Sequence, residues 1–177
     1  MLNIISQTME FYTKYKKVPS LSDIKIENSS LLEGKTSLFI TLYKNGEIRG
    51  SAGNIREITS STAEELIQNT IHAISKDHRF PEIKIDDVKD LKIRLDVITN
   101  RRVIQDNELT KIDPVKNGVL AIKKDYSKLA VILPNIHPTL LTGDDFAPIL
   151  KEKLGEKYFK ANEYIVYEIQ TEVSRDF

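Results

Sequence analysis

The chain contains no cysteine in its 177 residues. Without thiols, disulfides, thiolate nucleophiles, iron–sulfur ligation and cysteine-based zinc sites are excluded together. Net charge is also missing: 26 Lys and Arg balance 26 Asp and Glu. No global field draws such a chain to nucleic acid or to an anionic membrane, so electrostatic recognition has to be local. Long apolar runs are lacking too. The longest uninterrupted one, Leu129 to Leu133, is far short of the ~20 residues of a membrane span, and the N-terminus carries no basic segment followed by an apolar core. A cytoplasmic protein without membrane association is the expectation. The three histidines, His72, His78 and His137, have no metal-ligand spacing, so neither a metal nor a cofactor is expected.

What is present reads as one domain over residues 1–177, long enough to bury roughly 70% of the surface its unfolded chain exposes. Leu2, Ile5, Met9 and Tyr12 form the stripe of an amphipathic helix that ends before Pro19. Residues 37–43 and 47–53 flank Lys44-Asn45-Gly46, and Asn-Gly between two such runs predicts a β-hairpin. Ser61 with Glu64 fits a capping box, followed by a helical face of Ala63, Leu66, Ile67, Thr70, Ile71 and Ile74. Residues 91–98 alternate as a half-buried strand. Val119 to Lys123 and Leu129 to Leu133 pair through Asp125-Tyr126-Ser127, Phe146 to Leu154 form a helix closed by Gly155, and Tyr164 to Val173 form a last strand. Strands and helices that do not alternate regularly predict an α+β fold with a largely antiparallel sheet and packed helices.

Two segments stand apart. In Ile48-Arg49-Gly50-Ser51-Ala52-Gly53-Asn54, four small residues follow an arginine on the second hairpin arm. Glycine in a strand marks a bulge, or a place where a backbone or a ligand comes close. Asp77-His78-Arg79-Phe80-Pro81 puts a cation pair, an aromatic ring and a φ-locked proline at a helix exit. Its simplest use is structural, with His78 and Arg79 favoured by the helix macrodipole and Phe80 anchoring the turn. The functional alternative is that Arg49 and Arg79 converge on a carboxylate or phosphate, which a planar guanidinium pairs bidentately. Ser51, His78 and Asp77 do not read as a hydrolytic triad, because Ser51 lacks a G-x-S-x-G elbow. Asp86-Asp87 and Asp144-Asp145 read as capping residues, and the basic clusters Lys14, Lys16-Lys17 and Arg101-Arg102 as solvated ends.

With these segments in view, the chain resembles the AMMECR1 domain family. Phe39-Ile40-Thr41-Leu42 followed by Ile48-Arg49-Gly50-Ser51-Ala52-Gly53 is similar to the family's F-V-T-L and L-R-G-C-I-G pattern, and Asp77 to Pro81 to its D-x-R-F-P pattern. Ile132-Leu133-Pro134 is similar to its L-L-P element. The resemblance implies an α+β domain with a larger lobe and a smaller lobe, in a family without an established activity. It also implies association with Memo-like and radical SAM proteins, to which members are found fused. Ser51 stands where the family has cysteine and Ala52 where it has isoleucine, and the tryptophan common before the late helix is absent. A serine hydroxyl without an activating base is a far poorer nucleophile than a thiolate.

The sequence therefore points to a ligand-binding segment made of Arg49, Gly50, Ser51, Gly53, His78 and Arg79, recognising a small anionic molecule or a modified peptide. The protein would act as an accessory or enzyme component beside a Memo-like or radical SAM protein. The alternative is a protein interaction module without chemistry of its own; nucleic-acid binding is the weakest of the three readings.

Overall fold

In the computed structural model, which describes residues 1–105 and 108–177, the chain forms five α-helices and six strands. The helices are α1 (Leu2–Tyr15), α2 (Ser30–Glu33), α3 (Thr62–Ser75), α4 (Ile85–Val88) and α5 (Phe146–Leu154). The strands are β1 (Leu38–Lys44), β2 (Glu47–Gly53), β3 (Lys92–Val103), β4 (Gly118–Lys123), β5 (Leu129–Ile132) and β6 (Tyr164–Arg175), hydrogen-bonded in the order β2-β1-β3-β6-β4-β5. This is the expected α+β fold, and every pairing with a described register is antiparallel. The chain divides into two compact units, Met1–Val97 with Val173–Phe177, and Ile98–Glu172.

In the first unit the β1–β2 hairpin turns where it must. Asn45 at φ 54° and Gly46 at φ 83° both take left-handed backbone, the requirement of the two-residue turn whose twist matches the flanking strands. Leu38, Ile40 and Leu42 of β1 point to one face and are fully buried against Ile5 and Met9 of α1 and Leu66 and Ile74 of α3. Each such side chain contributes about 1.5–3 kcal/mol when removed from water. β1 also pairs with β3, placing Thr41 opposite Arg94 and Phe39 opposite Asp96. After α3 the chain re-enters the core at Ile83, whose amide donates to the Ile74 carbonyl.

β3 runs to Val103, five residues beyond the expected end at 98. Thr99 to Arg102 are polar and the extension carries no apolar alternation; what keeps it extended is pairing. The Ile104 amide donates to the Val166 carbonyl, and Arg102 bridges Glu168 and Glu108. Arg102 is exposed, as expected of a solvated residue, and is also ion-paired within the strand. The second unit has its own core, with Val119, Ala121, Ile132, Phe146, Leu150 and Val166. Its late helix ends as expected, at Gly155 with φ 62°. Asp145 accepts from the amides of Leu141 and Thr142, the capping role expected of it.

Just past that helix end, Glu156 Oε1 accepts from Lys123 Nζ at 3.1 Å, Lys128 Nζ at 3.0 Å and the Tyr164 hydroxyl at 3.0 Å. Hydrogen bonds from Lys128, Lys123 and Tyr164 pull its carboxyl from an ordinary 4.5 down to about 2. Because the folded value lies below the unfolded one, the stabilisation is present above pH ~4.5 and disappears as the pH falls towards 2. Glu156→Gln is therefore expected to be less stable than the parent at pH 7, with most of that gap closed near pH 2, read from paired urea titrations at the two pH values.

Candidate functional site

β2 is an edge strand, and its pairing with β1 is interrupted once. Leu42 lies opposite Gly50 and Tyr43 opposite Ile48, which leaves Arg49 as the extra residue of a β-bulge. A bulge re-aims the side chain it carries and resets the in–out alternation of the residues after it. Both effects are visible. Gly50 and Ala52 fall on the helix side, Ser51 and Gly53 on the other, and the Arg49 guanidinium carbon comes to 5.9 Å from the centre of the Phe80 ring.

Phe80 belongs to the second segment, so the two meet. Arg79 lies over the same ring at 5.2 Å, within the distance at which a cation is attracted by the ring quadrupole. Asp77 fixes this arrangement. Its carboxylate accepts from Arg79 Nε at 2.9 Å and Nη2 at 2.7 Å, and from the Ser51 backbone N–H at 2.9 Å. One carboxylate thus ties the turn after α3 to the edge of β2, occupying a donor that an edge strand would otherwise present. Burial raises the Asp77 carboxyl, but the bonds from Arg79 and the Ser51 amide outweigh it and hold the group below its usual value. The bonds that Arg79 donates to Asp77 raise the Arg79 pKa in turn, against a smaller opposing effect of burial. Asp77 is nearly covered, whereas half of the Arg79 side chain is exposed.

His78 does not join this cluster: its side chain is exposed and has no hydrogen bond among the described residues. Nor does Phe80 anchor the turn in the core; it is half-buried and serves as the shelf for two guanidinium groups. The glycines answer to packing. A Cβ on Gly50 would stand 2.2 Å from the Ala73 carbonyl oxygen of α3, and one on Gly53 would stand 2.3 Å from the Phe39 ring.

Ser51 pairs across the sheet with Thr41, and their hydroxyls are 3.2 Å apart. No base is hydrogen-bonded to the Ser51 hydroxyl among the described residues, because Asp77 takes its backbone N–H instead. Behind Thr41 on the same face, Arg94 pairs bidentately with Asp96 at 2.7 and 2.8 Å. Both are buried, with 1% and 0% exposure. Among the described residues no group of three or more His, Asp or Glu is placed to hold a metal ion, and no helix is long and apolar enough to cross a membrane.

Sequence reasoning missed one element, the loop that leaves β2. Glu65, with 0% exposure, lies beneath it. Its carboxylate accepts from the side chains of Asn54, Asn69 and Thr59 and from the amides of Ile58 and Thr59. Burial raises the Glu65 carboxyl, and the bonds from Asn54, Thr59, Asn69 and Ile58 together bring it below its usual value. Its neighbour forms only half of the expected capping box: the Glu64 amide donates to Ser61 Oγ at 3.2 Å, while its carboxylate turns to the Ser60 amide and hydroxyl.

The antiparallel α+β architecture is also found elsewhere. The structure titled uncharacterized protein PH0010 from Pyrococcus horikoshii superposes with a TM-score of 0.78 over 96% of this chain and 86% of that one, at 22% identity. The AMMECR1 family model matches residues 2–173, and the chain belongs to that family. A Thermotoga maritima protein is 28% identical over 131 residues, 73% of this chain and 72% of that protein. Protein CA_C1420 of Clostridium acetobutylicum is 35% identical over 102 residues, which are 58% of this chain but 21% of that longer protein.

Proposed function

We propose that the Arg49–Phe80–Arg79 platform recognises an anionic group, a carboxylate or phosphate, on a small molecule or a modified peptide. The observation behind this reading is that both guanidinium groups lie against one ring. Arg79 spends its Nε and one Nη2 donor on Asp77, leaving part of its fork available, and Arg49 has no ion pair among the described residues. A ring flanked by two guanidinium groups offers an anion more than one cationic partner. With no base on the Ser51 hydroxyl among the described residues, the segment suits recognition better than covalent catalysis. On this reading the domain is an accessory or enzyme component, and a Memo-like or radical SAM protein is the natural candidate for the enzyme it serves.

Isothermal titration against a panel of small carboxylates and phosphates tests it. Arg49→Ala is expected to weaken the anions that bind the parent by roughly 10- to 100-fold, the value of charge-assisted hydrogen bonds. An unchanged ligand profile in a folded variant refutes the reading. The residue types of the platform support a second reading, since arginine and aromatic side chains are enriched where proteins dock. In that case the same surface contacts the partner directly, and Arg49→Ala abolishes co-purification of a Memo-like or radical SAM protein while no small anion binds.

A further inference from the structure

A groove of about 800 Å³ lies on the first unit, between the flank of α3 and the chain that follows α1, and neither signature segment lines it. Its volume falls in the range of clefts that enclose drug-sized molecules. The composition of its wall is one-sided. Leu21, Ile67 and Ile71 supply apolar surface, while Glu64, Gln68 and His72 supply polar atoms. No lysine or arginine lines it among the described residues, and Glu64 is its one carboxylate. The Glu64 Oε2 atom accepts from the Ser60 amide and hydroxyl, and Oε1 has no hydrogen bond among the described residues. On the facing wall, Ser20 leads to a second negative charge: its amide and hydroxyl donate to Asp23 Oδ2 at 2.8 and 2.6 Å.

From this charge pattern we infer that the groove binds a cationic amphiphile, an organic amine whose apolar body packs on Leu21, Ile67 and Ile71 and whose ammonium donates to Glu64. Apolar walls select for the body and the lone carboxylate for the head, because an ammonium–carboxylate hydrogen bond is about twice as strong as a neutral one. An anionic head would face Glu64 with no lysine or arginine in the wall among the described residues. This site is independent of the Arg49–Phe80–Arg79 platform and takes the opposite charge.

The test is an amide-resolved NMR titration of the full chain with octylammonium, octanol and octanoate, which share one apolar body. Octylammonium is expected to shift Leu21, Ile67 and Ile71 saturably and to bind about tenfold tighter than octanol, with octanoate weakest. Glu64→Gln should bring octylammonium down to the level of octanol, and Gln68→Trp, which fills the groove from its half-buried rim, should abolish binding of all three. Equal binding of octylammonium and octanoate, a preference that survives Glu64→Gln, or no saturable shifts at those residues overturns the inference. So does a dilution series without probe in which the same amides shift, because a second copy of the chain is then the occupant.

Discussion

Asp96→Ala is expected to destabilise the first unit by about 3–5 kcal/mol, the effect of removing one partner from a buried ion pair. Asp96 and Arg94 are two residues apart on β3, share one face, and are both sealed from solvent while bonded through two N–H···O contacts. Burial works against the Arg94 charge; hydrogen bonding to Asp96, with a smaller contribution from Tyr43, more than offsets it. Truncating the carboxylate leaves that cation in a low-dielectric site with its bidentate acceptor gone, and Arg94 is too basic to escape by losing its proton. The pair need not be strongly stabilising for this to hold. Replacing both residues together, Arg94→Met with Asp96→Leu, is expected to be far milder than either single truncation, since a well-packed apolar pair avoids desolvating two charges. Urea unfolding read as a midpoint shift at constant slope measures both variants. A single truncation no worse than about 1 kcal/mol would show that water reaches the pair.

How much of the molecule is legible in its sequence differs from one element to the next. The β1–β2 turn, the extent of α1 and α3 and the Gly155 helix end obey rules that act within a few residues, and Asn45, Gly46 and Gly155 sit in the left-handed backbone those rules require. The far half of β3 is not legible, because residues 99–103 are extended by a partner strand distant in sequence. The bulge at Arg49 is half legible: glycines in a strand signal a bulge or a close approach, but only the register shows which residue is extra. Asp77 reads from the sequence as the first residue of the D-x-R-F-P pattern and as a member of an unconvincing catalytic triad. Its actual bonds, to a backbone N–H 26 residues earlier and to Arg79, depend on how the turn after α3 meets the sheet edge. Glu65 does leave a trace in the sequence. With Asn69 it forms an i, i+4 polar pair at the border of the apolar stripe of α3, and both are buried, so the covered face of the helix is wider than its apolar residues suggest.

Glu65→Ala is the second change with a large expected effect, and it separates the loop from the platform. The carboxylate gathers donors from Asn54, Ile58, Thr59 and Asn69, and each donor left buried without an acceptor costs about 1–3 kcal/mol. Asn69 keeps its bond to the Glu65 carbonyl and some loop donors can turn to water, so the expected loss is about 2–4 kcal/mol, less than the full sum. Hydrogen exchange gives the local reading: the Ile58 and Thr59 amides should lose protection while those of α3 keep theirs. The folded carboxyl lies below its ordinary 4.5, so its contribution is present above that pH and is lost as the pH falls through the folded value. The gap between parent and Glu65→Ala should accordingly narrow on acidification. Arg49 is positioned by the β1–β2 register and Arg79 by Asp77, and neither depends on Glu65. Anion binding should therefore survive in Glu65→Ala at temperatures where the first unit remains folded; if it vanished there, the loop after β2 would have to be counted as part of the recognition site.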